Sequence, residues 1–235
     1  MAVESTISFS GSGFLDPNFI PPEDVNFENT SPGVFVVTST DETIVGLGLS
    51  DSPTTPISSS TNIEASVDDL QVDVAGGNDN LRIGGDVANS SVELGDGRDT
   101  FLVSGDFIDS GVKAGAGRDV LRFDGTVQNS FIDAGVDDDL VAFFGNVNGS
   151  VVNLGTGKDQ AVFNRDVTNT DLDLGSDGVM DIVRINDPLA DTTGLVIEGA
   201  DAEDVLFIGT SQYSYQGDYT WRNINDPLDE KIFGP

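Results

Sequence analysis

The chain has 235 residues, with 41 acidic against 10 basic side chains, no histidine and no cysteine, for a formal net charge of −31. That composition excludes disulfides, thiol nucleophiles, Ser-His triads, Cys/His zinc sites and histidine acid–base chemistry, and the negative field excludes nucleic acid and anionic membranes as partners. No apolar run approaches the roughly 20 residues of a membrane span, while β-branched and aromatic residues at regular intervals exclude a disordered acidic chain.

Residues 1–60 read as an N-terminal cap or attachment segment. The opening MAVESTISFSGSGF lacks the basic region and apolar core of a secretory signal peptide, so export is expected to use another route. Prolines recur at Pro17, Pro21 and Pro22. Residues 33–49 (GVFVVTSTDETIVGLGL) predict two strands and a turn. The Ser/Thr/Pro stretch at 51–61 predicts a linker or long surface loop.

Residues 61–208 are built on a repeat of twenty. VAGGND at 74–79 becomes LGDGRD at 94–99, AGAGRD at 114–119, AGVDDD at 134–139 and LGTGKD at 154–159. Two looser copies follow, ending in Asp181 with two extra residues and in Asp204. After each aspartate come two apolar positions two apart, such as Phe101/Val103, Leu121/Phe123 and Val141/Phe143. A glycine recurs next (Gly85, Gly105, Gly125, Gly145), and later a small hydroxyl (Ser90, Ser110, Ser130, Ser150, Thr170). Alternation with period two means strands with one buried face. A unit too short to hold its own core, repeated at constant length, means a solenoid.

The expected fold is therefore all-β: a β-solenoid of about six to seven 20-residue rungs with N- and C-terminal β caps. Phe123, Phe143 and Phe163 should stack inside, and the serines should form a hydrogen-bonded file along one corner. The caps are expected because a terminal rung must hide its open edge. At the C-terminus, residues 209–235 form an aromatic hairpin cap and tail around YSYQGDYTW (213–221), with the turn expected at Gln216-Gly217-Asp218. Tyr213, Tyr215, Tyr219 and Trp221 read either as a sugar-stacking platform or as a cap on the last rung.

In a stacked solenoid Asp79, Asp99, Asp119, Asp139 and Asp159 fall on one file. Strands lie about 4.8 Å apart, so the file is unfavourable unless something positive offsets it. A divalent cation such as Ca²⁺ takes six to eight oxygens, carbonyls as readily as carboxylates. The alternatives are salt bridges from Arg98, Arg118 and Lys158, which precede three of the aspartates, or local protonation. The triplet Asp137-Asp138-Asp139 reads as a stronger cation site or as a solvated corner.

The run AGAGRDVLRF (114–123) resembles the glycine-rich nonapeptide G-G-x-G-x-D-x-U-x of RTX (hemolysin-type) proteins, and LGDGRDTFL and AGGNDNLRI are close variants. The resemblance covers residues 72–185. It implies a right-handed parallel β-solenoid, a β-roll or β-helix, with calcium in the turns between rungs. By position the ligands would be the carboxylates of Asp79, Asp99, Asp119, Asp139 and Asp159 and the carbonyls of Gly77, Gly97, Gly117 and Gly157. The chain departs from the family in carrying the motif on one edge of the rung only, in replacing a glycine by Asp137, and in its flanking basic residues. The resemblance thus implies a one-sided, diverged β-roll with fewer ions.

The function expected is a non-enzymatic extracellular structural or adhesive β-solenoid stabilised by Ca²⁺ at G-x-G-x-D corners. Partners would be proteins of a surface or virion assembly, or a cell-surface glycan. An alternative is a viral structural protein, such as a capsid decoration or tail or fibre component. A second is a polysaccharide-modifying enzyme, against which stand the even spread of the acids and the lack of histidine.

Overall fold

The computed structural model describes residues 62–235 apart from 64, 65, 74 and 75, together with the backbone course of the strands Ser5–Ser10, Val25–Ser31, Val34–Ser39, Thr43–Val45, Gly48–Ser50 and Ser60–Ile63. The prolines at 17, 21 and 22 and the linker expected at 51–61, as far as residue 59, lie outside the described residues. Three strands rather than two fall within or overlap residues 33–49, with Val34–Ser39 in the first sheet, Thr43–Val45 in the second and Gly48–Ser50 in the third.

Each rung is strand, corner, strand, corner, strand. In one of them Thr100–Val103 belongs to a first sheet, Phe107–Ile108 to a second and Gly111–Ala116 to a third. The next rung repeats this in parallel and in register, twenty residues on: Phe101 pairs with Leu121, Phe107 with Val127 and Val112 with Ile132. The result is a parallel β-solenoid of about seven rungs. No helix occurs among the described residues, and hence none long and apolar enough to cross a membrane.

From Asn80–Ile83 to Ile182–Ile185 the apolar alternation of the first sheet turns into an inside and an outside. Leu81 and Ile83, Phe101 and Val103, Leu121 and Phe123, Val141 and Phe143 are all buried, and the residues between them face out. Because each rung sits on an equivalent one, side chains stack on their own kind. Phe123 and Phe143 lie 5.3 Å apart with planes 12° from parallel, and Phe143 and Phe163 lie 5.0 Å apart at 11°. Where Phe107 enters from the second sheet, Phe101 turns edge-on instead, at 79° to Phe123.

The hydroxyl file is also present. Ser110 Oγ accepts the amide of Ser90 at 3.0 Å, Ser130 Oγ that of Ser110 at 3.2 Å, and Ser150 Oγ that of Ser130 at 3.2 Å. Each of these hydroxyls also donates to a carbonyl two residues earlier in its own chain. The residue before the hydroxyl makes the corner in the left-handed region, at φ near 48° for Asn89, 49° for Asp109 and Asn129, and 63° for Gly149. Only Gly, Asn and Asp enter that region readily, which explains why this position is never β-branched.

Antiparallel strands close both ends. Ser5–Ser10 pairs with Ser60–Ile63 and with Val34–Ser39. At the far end Ser211–Gly217, Thr220–Asn223 and Glu230–Ile232 extend the first sheet beyond Val205–Ile208. Trp221 is fully buried there and Tyr213 nearly so, with the Tyr213 hydroxyl donating to Asp229 at 2.7 Å. Tyr215 packs against Trp221 at 5.3 Å, and Tyr219 lies against Gly234. These aromatics cap the last rung. The hairpin turn falls at Asp218 and Tyr219, both in the left-handed region, because the strand runs on through Gly217.

Phe143 is sandwiched between two rings and tests the stacked core. Phe143→Ala is expected to cost about 3–5 kcal/mol by urea denaturation, and Phe143→Leu clearly less.

Candidate functional site

The glycine–aspartate corner follows the third sheet and leads into the first. Its backbone folds this way for a steric reason. Gly117 has φ of 124°, and a Cβ added there would stand 1.6 Å from the carbonyl oxygen of Gly97 one rung below. Gly115 behaves alike, with φ of 107° and 2.1 Å to the oxygen of Gly95. A side chain at Gly115 or Gly117 would collide with the backbone of the rung below. Asp137, which replaces the glycine of its rung, takes φ of 78°, a conformation Asp tolerates better than most residues. Amides lace the corner together: Gly97 donates to Ala116 O at 2.7 Å and Gly117 to Val136 O at 3.0 Å.

The five expected aspartates do lie on one file, and the file is buried. Asp99, Asp119, Asp139 and Asp159 are between 0% and 4% exposed. Each carboxylate reaches to the rung below, where its Oδ1 accepts the amide of the preceding aspartate. Asp99 takes the Asp79 N–H at 2.7 Å, Asp119 that of Asp99 at 2.7 Å, Asp139 that of Asp119 at 2.8 Å and Asp159 that of Asp139 at 2.7 Å. The chain of bonds runs on through Asp181 and Asp204, each at 2.8 Å. The last two were absent from the candidate ligands because their copies of the motif carry insertions. Their signal was the terminal aspartate before an alternating pair, Ile182–Ile185 and Val205–Ile208.

The second oxygen of these carboxylates is the unusual feature. Oδ2 of Asp99, Asp119, Asp139, Asp159 and Asp181 is buried and has no hydrogen-bond partner. A buried anionic oxygen without a partner is costly. Burial, opposed by the amide bond, pushes the carboxyl of Asp99 up to about 7, Asp139 to about 8, Asp159 to about 6 and Asp181 to about 8. Neighbouring aspartates add to the rise. Asp119 and Asp204 move in the same direction for the same first cause.

The basic residues beside the file do not offset it. Arg98, Arg118 and Lys158 point to the opposite, exposed side. Arg118 reaches the outer carboxylate of Asp138, at 3.6 Å. Salt-bridging of the ladder by these residues is therefore excluded, and a proton or a cation is left to satisfy each Oδ2. Asp138 is occupied by this pair and by the Lys158 amide, so Asp137-Asp138-Asp139 splits into outward and inward members rather than acting as one cluster.

The donor set fits a hard cation in kind: oxygens only, one unsatisfied per rung. Among the described residues no group of three or more acidic side chains is placed to hold a metal ion. An ion between rungs would thus take its charge from one or two ladder carboxylates and complete its shell from backbone carbonyls and water. The carbonyls of Gly77 and Gly97 point along the stack, against the glycine of the next rung.

Comparison with known proteins finds no matching family model, no matching curated protein and no matching solved structure.

Two outcomes follow from this geometry. The folded ladder holds protons that the unfolded chain has released between about pH 4 and pH 8, so folding stability falls as pH rises through that window. In chelator, the melting temperature is expected to be higher at pH 5 than at pH 8. Gly117→Ala is expected to destabilise by more than about 1 kcal/mol. Gly111→Ala, whose Cβ would meet nothing nearer than 3.9 Å, should be neutral or slightly stabilising in the same denaturation assay.

Proposed function

We propose that this protein is a non-enzymatic structural β-solenoid whose rigidity is coupled to calcium at the glycine–aspartate corners. The observation that carries the reading is the buried, unpartnered Oδ2 repeated on consecutive rungs. Each such oxygen needs either a proton or a cation, and Ca²⁺ can serve two rungs at once. The residues that would hold it are Asp79, Asp99, Asp119, Asp139, Asp159 and Asp181. Carbonyls of the corner, among them those at Gly77, Gly97, Gly117 and Gly157, are the nearest supply of further oxygens. What the ion supplies is charge compensation, so that binding free energy becomes folding free energy. With only one or two carboxylates per ion, affinities near those of extracellular modules are expected, about 10⁻⁴–10⁻³ M. That range suits a medium rich in divalent ions, such as the outside of a cell or the surface of a virion, and a net charge of −31 is best screened there.

Melting in excess EGTA against 10 mM Ca²⁺ at pH 7.5 tests the proposal. Several sites worth about 1.5–2.5 kcal/mol each at that concentration would raise the melting temperature by roughly 10 °C or more. Asp119→Asn and Asp139→Asn keep an oxygen for the amide of the rung below and remove the charge. Both variants should melt no lower than the parent in EGTA and gain less from Ca²⁺. An unchanged melting temperature for the parent chain would sink calcium as a structural ligand.

A further inference from the structure

The outer face of the first sheet differs in charge from the rest of the molecule. From Asn80–Ile83 to Val205–Ile208, none of its outward positions is acidic, in a chain of 41 acids. Its outward residues include Leu102, Val120, Leu140, Val162, Ile182 and Phe207, with three arginines set among them: Arg82, Arg122 and Arg184. Two of the arginines are fixed by aromatic rings. The Arg122 guanidinium lies 4.3 Å from the centre of the Phe144 ring, and that of Arg184 lies 4.1 Å from the centre of Phe207. Arg122 also has one ion pair, at 2.7 Å, to Asp124 at the corner beyond its strand. Stacking holds the guanidinium planes and leaves N–H groups at their edges for another acceptor.

The outer face of the third sheet is the acidic counterpart. It carries Glu93, Asp133 and Glu198, with Asp171 and Asp173 between the last two and the exposed Phe131 and Val151 near its middle. The spacings agree. Arg82 to Arg122 is two rungs, and Arg122 to Arg184 is three. Glu93 to Asp133 is two rungs, and Asp133 to Glu198 is three. Each arginine and its matching acid also share a rung.

We propose that the first-sheet face of one copy of this chain docks on the third-sheet face of a second copy, with axes parallel and rungs level. Arg82 then faces Glu93, Arg122 faces Asp133 and Arg184 faces Glu198, while Val120 comes level with Phe131, Leu140 with Val151, and Gln160 and Val162 with Asp171 and Asp173. Lys113, the basic residue of the acidic face, comes level with Thr100 and Leu102, and no level opposes like charges. An antiparallel docking keeps two of the three pairs and loses Asp133. First-sheet faces docked on each other would bring arginines together with no acid between. An anionic polymer would meet three arginines on a body of charge −31. Because two different faces meet, the contact can be repeated, and it builds open side-by-side arrays of solenoids rather than a closed dimer. The face spans about 400 Å² per partner by strand spacing and rise, which is small for a specific interface. The association is therefore weak in each contact, and it strengthens between 0.01 M and 0.15 M salt as the long-range repulsion of the two bodies is screened.

Sedimentation equilibrium of the full chain from 10 to 500 μM at these two salt concentrations tests this. The expected result is a concentration-dependent rise in mean mass, larger at 0.15 M. Arg122→Glu alone and Asp133→Lys alone should each weaken it about tenfold or more, since each sets like charges at one level. An equimolar mixture of the two variants should restore it, because each then presents a complementary face to the other. Arg184→Glu with Glu198→Lys repeats the exchange at an independent level, and unchanged melting curves show that the variants fold. A monomer throughout, variants that associate like the parent, or a mixture that does not recover overturns the proposal. So does binding of a soluble polyuronate by the parent but not by Arg122→Glu, which would make an anionic polymer the occupant of this face.

Discussion

Every feature of this molecule depends on one constraint: each rung sits directly on an equivalent rung at strand spacing, about 4.8 Å. Whatever a position carries, it carries again one spacing away. Apolar residues gain from this, since Phe123, Phe143 and Phe163 stack ring on ring. Hydroxyls gain as well, because one serine can accept the amide of the rung below and still donate within its own rung. Charges lose, and a buried charged file is tolerated only with compensation. The aspartate ladder is where the constraint is under the greatest electrostatic load, and its unpartnered oxygens mark the place where compensation must enter.

The aspartate is nevertheless suited to its corner. From Asp79 to Asp181 the amide of each ladder residue is satisfied by a carboxylate from the rung above. An asparagine could accept the same bond without charge. Retaining a carboxylate at this position on every rung, including the irregular ones that end in Asp181 and Asp204, makes the stability of the stack answer to protons and cations. Structure and response to the medium are linked through the same atoms.

The charges outside are organised by the same repetition. Along the rungs most acidic residues occupy the corners and the third-sheet face, and three arginines collect on the first-sheet face between Asn80–Ile83 and Val205–Ile208. Net charge keeps copies apart at long range, while short-range pairing selects one face against another. A solenoid that associates laterally in this way is a building element, in keeping with a structural role.

The amino-acid sequence by itself determined the period, the solenoid, the alternation of buried and exposed strand positions and the serine file. Those properties are local or repeat at fixed distance, so reading them requires only that equivalent residues stack. The tertiary structure alone decided which way the aspartates face. Period-two alternation assigns sides within a strand, but Asp99 and Arg98 stand at a corner where the chain turns, and there the direction depends on which amide lies within reach. It also decided that Trp221 and Tyr213 are buried under the last rung rather than displayed, and that Arg82, Arg122 and Arg184 share one acid-free face with the same spacing as Glu93, Asp133 and Glu198 on another. Composition sums charge over the whole chain, and only folding separates it by face.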